Sequence, residues 1–151
     1  MSIKKVREYF KGSDIKILES DESSATVELA AAAFGIEADQ IAKSLAFLVD
    51  DSPVLILMSG CSRVDNHKFK DFFHQKASMI PFEKVEGYIG HAPGGVCPFA
   101  INEGVKVYLD NSLKKYDVVY PAAGSENSAV KLTISELERY SKFESWADIA
   151  K

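Results

Sequence analysis

Two strongly apolar runs stand close together in the first half of the sequence and constrain its fold more than any other feature. The runs are AKSLAFLVD (42–50) and PVLILMSG (53–60), and the pair Asp51-Ser52 between them suits a tight turn. Apolar runs of this length are typical of buried strands. The sequence therefore predicts a β-hairpin at the centre of the protein.

Shorter periodic segments surround this hairpin. Helices are predicted over 2–11, over 26–34 with Gly35 ending the helix, over 65–74, from Pro81 to near Gly87, and after a capping box of Ser135 and Glu138. Further strands are predicted over 15–19, 105–110, 117–123 and 128–134. Hairpins mixed with short helices indicate an α/β fold: a single domain, 1–151, with a mixed, partly closed, barrel-like β-sheet surrounded by short helices.

Length, composition and charge limit the class of protein that this sequence can encode. A chain of 151 residues with 46% hydrophobic residues is long enough for one domain with a sizeable core. The net charge of −4 does not indicate a nucleic-acid partner, although binding needs only a local basic patch. No apolar run reaches membrane-spanning length, and Met1 precedes a charged amphipathic segment. Cytoplasmic location, with no membrane association, is the expectation.

The stretch GYIGHAPGGVCPFA (87–100) follows neither the helix period nor the strand period, yet it is too apolar for a solvated linker. Within it, residues 94–98 form a GxxxP unit. Glycines allow backbone N–H groups to approach a ligand closely, and a rigid row of such donors suits an ester carbonyl or a phosphate. The alternative is a buried turn that joins a helix to a strand.

Lys43 interrupts the first apolar run of the hairpin near its start. A lysine in this position could be the single charged anchor of an apolar pocket, where it would hold a phosphate or a substrate carbonyl. The alternative is a strand-end lysine that extends its ammonium group into water.

Four segments, in this order and spacing, resemble the YbaK/EbsC family. They are QIAKSLAFLVDD, SGCSRVDNHKFKDFF, GHAPGGVCPFA and PAAGSENSAVKLTISEL, and the resemblance runs from about Ser24 to about Leu137. Members are free-standing relatives of the editing domain inserted in bacterial prolyl-tRNA synthetase. The resemblance implies a YbaK-like fold and trans-acting hydrolysis of the ester that joins a wrong amino acid to a tRNA.

The resemblance also implies site residues. The family lysine needed for deacylation falls on Lys43, and the family GxxxP loop falls on Gly94, Gly95, Val96, Cys97 and Pro98. Substrate-binding positions fall on Gly90 and His91, which open the loop, and on the GS turn, Gly124-Ser125. Such an enzyme needs no metal or nucleotide cofactor. The family implies help from the ribose 2′-hydroxyl of the substrate, so that no protein general base is required.

Two positions depart from the family pattern. Ala129 stands where cysteinyl-tRNA(Pro) deacylase relatives carry an acidic residue, and Ala100 stands where glycine is commoner. These departures leave the edited amino acid open among cysteine, alanine and other small residues on tRNA(Pro). A non-catalytic module of the same fold that binds tRNA or prolyl-tRNA synthetase is the alternative function. The expected oligomeric state is a monomer or a weak homodimer.

A locally basic stretch offers a surface for the tRNA. Arg63 precedes the predicted helix 65–74, and Lys68 and Lys70 lie on it among phenylalanines; all three would contact phosphates of the acceptor stem. A basic N-terminal segment with Lys4, Lys5, Arg7 and Lys11 is a second candidate. The alternative for the helix is an ordinary solvated face with its aromatic residues in the core.

Two rival sites are weaker. Cys97 could act as a nucleophile with His91 as its base, but a cysteine between valine and proline in an apolar loop is typical of inert packing. His67 and His74 share a helix face near Cys61, yet a zinc site would need further ligands at recognisable spacing. Exposed histidines explain this pattern better than a metal site.

Overall fold

The computed structural model describes residues 2–24 and 26–151, so Met1 and Ala25, which the predicted domain includes, lie outside the described residues. The helices are α1 (Ser2–Tyr9), α2 (Val27–Phe34), α3 (Asn66–Phe73), α4 (Val85–Ile89) and α5 (Ile134–Ser141). The strands are β1 (Lys16–Glu19), β2 (Ala42–Val49), β3 (Ser52–Ser59), β4 (Lys106–Asp110), β5 (Val118–Val119), β6 (Ser128–Thr133) and β7 (Ser145–Ala147). Short 3₁₀ helices cover Ala38–Gln40, Phe82–Lys84 and Asn111–Lys115.

The central hairpin forms as predicted, but its turn lies one residue earlier. Val49 pairs with Ser52, and Asp50 and Asp51 both have positive φ, 51° and 64°. A two-residue hairpin turn of this kind needs two left-handed residues, which aspartate tolerates. Ser52 therefore begins β3 and is not part of the turn.

The strands form two open sheets. One has the order β2-β3-β4-β7, in which only the β2–β3 pair is antiparallel, and the other has the antiparallel order β1-β6-β5. They meet at one isolated bridge, Ile41 to Tyr120. The expectation of a mixed sheet is correct, but the expectation of a partly closed barrel is wrong. After Tyr120 the chain pairs with β6 and not with β2, since the N–H of Val130 donates to the Pro121 carbonyl oxygen at 2.8 Å.

Other boundaries differ from the predicted ones. The strand expected over 117–123 shortens to Val118–Val119, and β7 was not expected. The last helix has its capping box two residues earlier: the Thr133 side chain accepts from the N–H of Glu136 at 3.1 Å, and the Glu136 carboxylate accepts from the N–H of Thr133 at 2.9 Å. Helix α4 ends at Gly90, which has φ of 103°, and not at Gly87.

The four-stranded sheet is buried on both faces. Alternate β3 residues contribute to two clusters: Leu55 and Leu57 to a large core with α1, α4 and α5, and Ile56 and Met58 to a smaller one with Phe69 of α3. This two-sided burial explains why β3 is apolar throughout and not alternating. In the described part of the chain, no helix is long and apolar enough to cross a membrane.

Candidate functional site

A cavity of about 230 Å³ opens beside β2, where the two sheets meet. Its walls come from α2, from β2, from the segment after Ser78, from the 93–96 loop and from the β5–β6 hairpin. The lining residues are Ser24, Thr26, Val27, Ala30, Ile41, Ala42, Lys43, Ser44, Leu45, Ala46, Met79, Ile80, Val85, Pro93, Gly94, Val96, Tyr120, Ala122, Ser128 and Ala129. The cavity is therefore mostly apolar with a few hydroxyl groups, as in typical small-ligand sites.

Lys43 is the one charged residue among those that line the cavity in the described part of the chain. Its Nζ donates to the carbonyl oxygen of Gly60 at 3.2 Å and to that of Ser62, both in the loop after β3. Since an ammonium group has three donors, one remains for a ligand. Burial lowers the pKa of Lys43 below its usual value, and the nearby charge of Arg63 acts in the same direction.

Two residues of the GxxxP loop, Gly94 and Val96, line the cavity. Gly94 has φ of 93°, a conformation that L side chains rarely adopt, so glycine is needed here. Neither its N–H nor that of Val96 has a hydrogen-bond partner among the described residues. The loop therefore provides two unpaired backbone donors at one wall of the cavity.

Gly95 lies behind this wall and fixes the loop to the GS turn. Its carbonyl oxygen accepts from the N–H of Gly124 at 3.1 Å. A Cβ on Gly95 would lie 2.6–2.8 Å from backbone atoms of Gly124 and Ser125. The two family motifs are thus in direct contact, although Gly124 and Ser125 do not line the cavity themselves.

His91 and Cys97 form a buried pair away from the cavity lining. Both are fully buried, and Cys97 Sγ lies 3.5 Å from His91 Nε2. The same Nε2 lies 2.7 Å from the carbonyl oxygen of Phe99, which can only accept, so Nε2 carries the proton and cannot take one from the thiol. Burial raises the pKa of Cys97 to about 12. This pair does not supply the thiolate that nucleophilic catalysis needs.

Gly90 and Pro98 lie outside the cavity lining. The Gly90 carbonyl accepts from Lys5 Nζ at 2.9 Å, which ties α1 to the end of α4. Gly124, with φ of 91°, packs so closely on Ser2 and Ile3 that a Cβ would meet their backbone at 2.8–3.0 Å. Pro98 is buried and, like Gly90, is not among the lining residues. Helix α1 therefore contacts both loops and contributes no residue to the cavity lining.

Sequence reasoning missed the hydroxyl groups of the cavity: Ser24, Thr26, Ser44 and Ser128. Ser128 Oγ lies 2.6 Å from Ser125 Oγ, which links the GS turn to the cavity wall. Ser44 Oγ is buried and has no hydrogen-bond partner within residues 2–24 and 26–151. A serine within an apolar strand, next to the predicted anchor lysine, was the signal available for Ser44.

The predicted tRNA-binding residues do not all lie near the cavity. Lys68 donates to Asp148 at 3.0 Å and to the carbonyl oxygen of Ala150 at 2.8 Å. Lys70 is exposed on α3, which covers the sheet face opposite the GxxxP loop. Arg63 is exposed and close enough to Lys43 to affect its pKa. Of the three, only Arg63 is near the cavity.

Comparison with known proteins matches residues 21–140 to the family described as aminoacyl-tRNA editing domain. The uncharacterized protein YwhH of Bacillus subtilis is 42% identical over all of this chain and 98% of its own length. The proline–tRNA ligase of Lactiplantibacillus plantarum is 29% identical over 82% of this chain, which spans only 22% of that ligase.

Two solved structures superpose closely on this chain. A crystal structure described as a candidate trans-editing enzyme for prolyl tRNA synthetase superposes with a TM-score of 0.89 at 30% identity, over 99% of this chain and 97% of that one. The crystal structure of hypothetical protein APE2540 superposes with a TM-score of 0.87 at 24% identity, over 97% and 99% of the two chains, and shows the shared fold.

Proposed function

The chain belongs to the aminoacyl-tRNA editing domain family, and from that premise we propose that it hydrolyses, in trans, the ester bond of a mischarged tRNA. The proposed substrate is tRNA(Pro) carrying cysteine, alanine or another small amino acid. Aminoacylated tRNA and prolyl-tRNA synthetase are present in the cytoplasm, where the protein would act.

The observation that carries this proposal is the cavity with its single cation. Its volume, about 230 Å³, is smaller than the roughly 300–1,000 Å³ of pockets for drug-sized ligands. It is large enough for the aminoacyl group of a small amino acid. A separate small pocket is what editing requires, because one methylene in a synthetase pocket discriminates weakly between substrates.

The loop donors support an ester-hydrolysis mechanism. The N–H groups of Gly94 and Val96 would hold the ester carbonyl oxygen, on which negative charge develops as a water oxygen attacks the carbonyl carbon. The ester C–O bond then breaks, the amino acid leaves as its carboxylate, the terminal ribose oxygen takes one proton of the water, and the other proton is released to the solvent. An aminoacyl ester is already activated, so positioning and charge stabilisation can account for the catalysis.

Lys43 would bind the tRNA end. Its ammonium group is held by two carbonyl oxygens and keeps one donor, which suits a contact with the phosphate or ribose of the terminal adenosine. The ribose 2′-hydroxyl of the substrate, as the family resemblance implies, would help to orient the water and transfer its proton. In this mechanism Lys43 positions the substrate and is not a nucleophile.

The test is release of labelled amino acid from tRNA(Pro) charged separately with proline, cysteine, alanine and serine. We expect hydrolysis of one or more of the mischarged species well above the spontaneous rate and little hydrolysis of prolyl-tRNA(Pro). Specific binding of these tRNAs by a folded protein without hydrolysis would replace this proposal with the non-catalytic binding module.

A further inference from the structure

The free edge of β2 has a gap at Ser44. In an antiparallel ladder, alternate residues direct both N–H and C=O away from the partner strand. Ser59 is opposite Ala42 and donates its N–H to Ser112 Oγ at 3.0 Å and not to β2. The backbone N–H and C=O groups of the even-numbered β2 residues therefore point away from β3. Accordingly, the Ala42 N–H donates outward to the Tyr120 carbonyl oxygen at 3.1 Å.

Other segments cover this edge on both sides of Ser44 but not at Ser44 itself. On one side is Tyr120; on the other, the Ile80 N–H donates to the Ala46 carbonyl oxygen at 3.0 Å. The antiparallel pairing of Met79 with Phe47 would place residue 82 opposite Ser44. The chain leaves the edge before that point, because Pro81 introduces the 3₁₀ helix Phe82–Lys84.

Three polar groups of Ser44 are consequently unpaired. Neither its N–H nor its C=O has a partner among residues 2–24 and 26–151, and its buried Oγ has none either. All belong to a residue that lines the cavity. Unpaired polar groups in a buried position are costly, so this position is suited to a ligand that completes the hydrogen bonds.

We propose that the aminoacyl group of the substrate takes the missing place in the sheet edge and pairs with Ser44. Its α-amino group would donate to the Ser44 carbonyl oxygen, and its ester carbonyl would accept from the Ser44 N–H. An α-amino acid ester carries a donor and an acceptor on either side of its Cα, as a strand residue does. This inference rests on the proposed function and specifies how the same site recognises its substrate.

The pairing accounts for two features of the cavity. Its lining contains no Asp or Glu among the described residues, so a backbone carbonyl is a suitable acceptor for the α-ammonium group. A carbonyl oxygen has two lone pairs and gains a third as it becomes an oxyanion, so it can accept from Ser44 as well as from the N–H groups of Gly94 and Val96. The edge therefore selects α-amino acids as a class, and the apolar walls select among side chains by size.

The first experiment compares substrates with and without the α-amino group. Alanyl-tRNA(Pro) is paired with propionyl-tRNA(Pro), and cysteinyl-tRNA(Pro) with 3-mercaptopropionyl-tRNA(Pro), each rate being divided by its spontaneous hydrolysis rate. We expect the rate enhancement by the protein to be at least tenfold lower for each des-amino species than for its amino acid counterpart. Equal enhancement for the two substrates would contradict hydrogen bonding of the α-amino group to Ser44 but would not affect the proposed deacylase function. If no charged species is hydrolysed, the proposed function fails, and the second experiment decides the pairing independently.

The second experiment measures binding directly. 3′-Alanylamino-3′-deoxyadenosine, whose amide resists hydrolysis, is titrated into ¹⁵N-labelled protein, with 3′-amino-3′-deoxyadenosine as the control ligand. We expect a downfield shift of the Ser44 amide proton with the first compound only. A Ser44 amide that does not respond, while other cavity amides do, would refute the pairing.

The Ser44 side chain is tested separately from its backbone. Ser44→Ala keeps the N–H and C=O, so the des-amino discrimination should persist, and its thermal stability should equal or exceed that of the wild type because an unpaired buried hydroxyl is removed. Ser52→Ala, the same deletion at the exposed start of β3, is the matched control. Loss of the discrimination in folded Ser44→Ala would contradict recognition by the backbone.

Discussion

At the scale of single residues, the glycines in and near the site differ in whether they have space for a side chain. Gly95 contacts Gly124 and Ser125 through backbone atoms alone, and neither neighbour can move without displacing the other loop. Gly87 in α4 has open space around its Cα and an ordinary backbone conformation. Proximity in sequence therefore says little about which glycine the site requires.

We expect Gly95→Ala to destabilise the protein by about 3 kcal/mol, at the upper end of the usual range for point substitutions, and to reduce deacylation. Gly87→Ala should instead stabilise α4 slightly, by about 0.5–1 kcal/mol, since alanine favours a helix over glycine. Urea denaturation of both variants beside the wild type measures the difference. Equal stability of the two variants would contradict the close packing described for Gly95.

The two cysteines should differ in reactivity for the same structural reason. Cys61 is exposed, whereas Cys97 is buried with its pKa raised to about 12. Iodoacetamide at pH 8 should therefore modify Cys61 in the native protein and reach Cys97 only after denaturation, as mass spectrometry of the labelled peptides would show.

Replacement of Cys97 completes this test. Cys97→Ala should retain deacylase activity while losing about 1–3 kcal/mol of stability, because the loss is one of core packing. Abolished activity in a folded Cys97→Ala protein would revive the thiol-hydrolase alternative.

At the scale of elements, the basic residues should contribute unequally to tRNA binding. Arg63 follows β3 close to Lys43, whereas Lys70 is exposed on α3 and does not line the cavity. Arg63→Ala should raise KM several-fold at low salt and reduce the slope of log K against log salt by about 0.7–0.9, the value for one phosphate contact. Lys70→Ala serves as the control with little effect. The reverse order would favour α3 as the tRNA-binding surface.

The sequence predicted elements best where their composition was distinctive, as in the apolar runs of the hairpin and the alanine-rich segment before Gly35. Helix α2 begins at its Thr26 cap and ends at Gly35 as expected, and the hairpin differs only by the position of its turn. The strand over 117–123 was overestimated because Pro121 interrupts the ladder, although the proline within this run was a signal available in the sequence. Strand β7 was missed because three residues carry no clear period.

The site could be predicted only in part. Lys43 and the GxxxP loop were found from one charge in an apolar run and from dense glycine, and both border the cavity. The gap at Ser44 could not be found in this way, because it depends on where Tyr120 and Ile80, far apart in sequence, reach the β2 edge. Such long-range pairing leaves no pattern in a local window.

At the scale of the whole molecule, His91 connects stability to pH. Burial lowers the pKa of His91, with Lys5 acting in the same direction and Glu86 against it. In the unfolded chain, His91 takes up a proton as the pH falls below about 6.5, whereas in the native protein it resists protonation. The contribution of neutral His91 to the free energy of unfolding is therefore present above about pH 6.5 and is lost as the pH falls below this value.

We expect the free energy of unfolding to decline between about pH 6.5 and pH 5 in the wild type and to decline less in His91→Gln, whose amide can still donate to the Phe99 carbonyl oxygen. Denaturation at a series of pH values measures both curves. Parallel curves for the two proteins would show that His91 titrates alike in the folded and unfolded states.

The central claim is that the cavity beside β2 is a hydrolytic site organised around Lys43. Its most direct test is single-turnover hydrolysis of the mischarged tRNA by the wild type, by Lys43→Ala and by Lys131→Ala, an exposed lysine on β6 that does not line the cavity. With all three proteins shown to be folded, Lys43→Ala should lose about 100-fold or more in rate, the scale of removing one stabilising contact to a transition state. Lys131→Ala should match the wild type. Wild-type hydrolysis by Lys43→Ala would contradict the account.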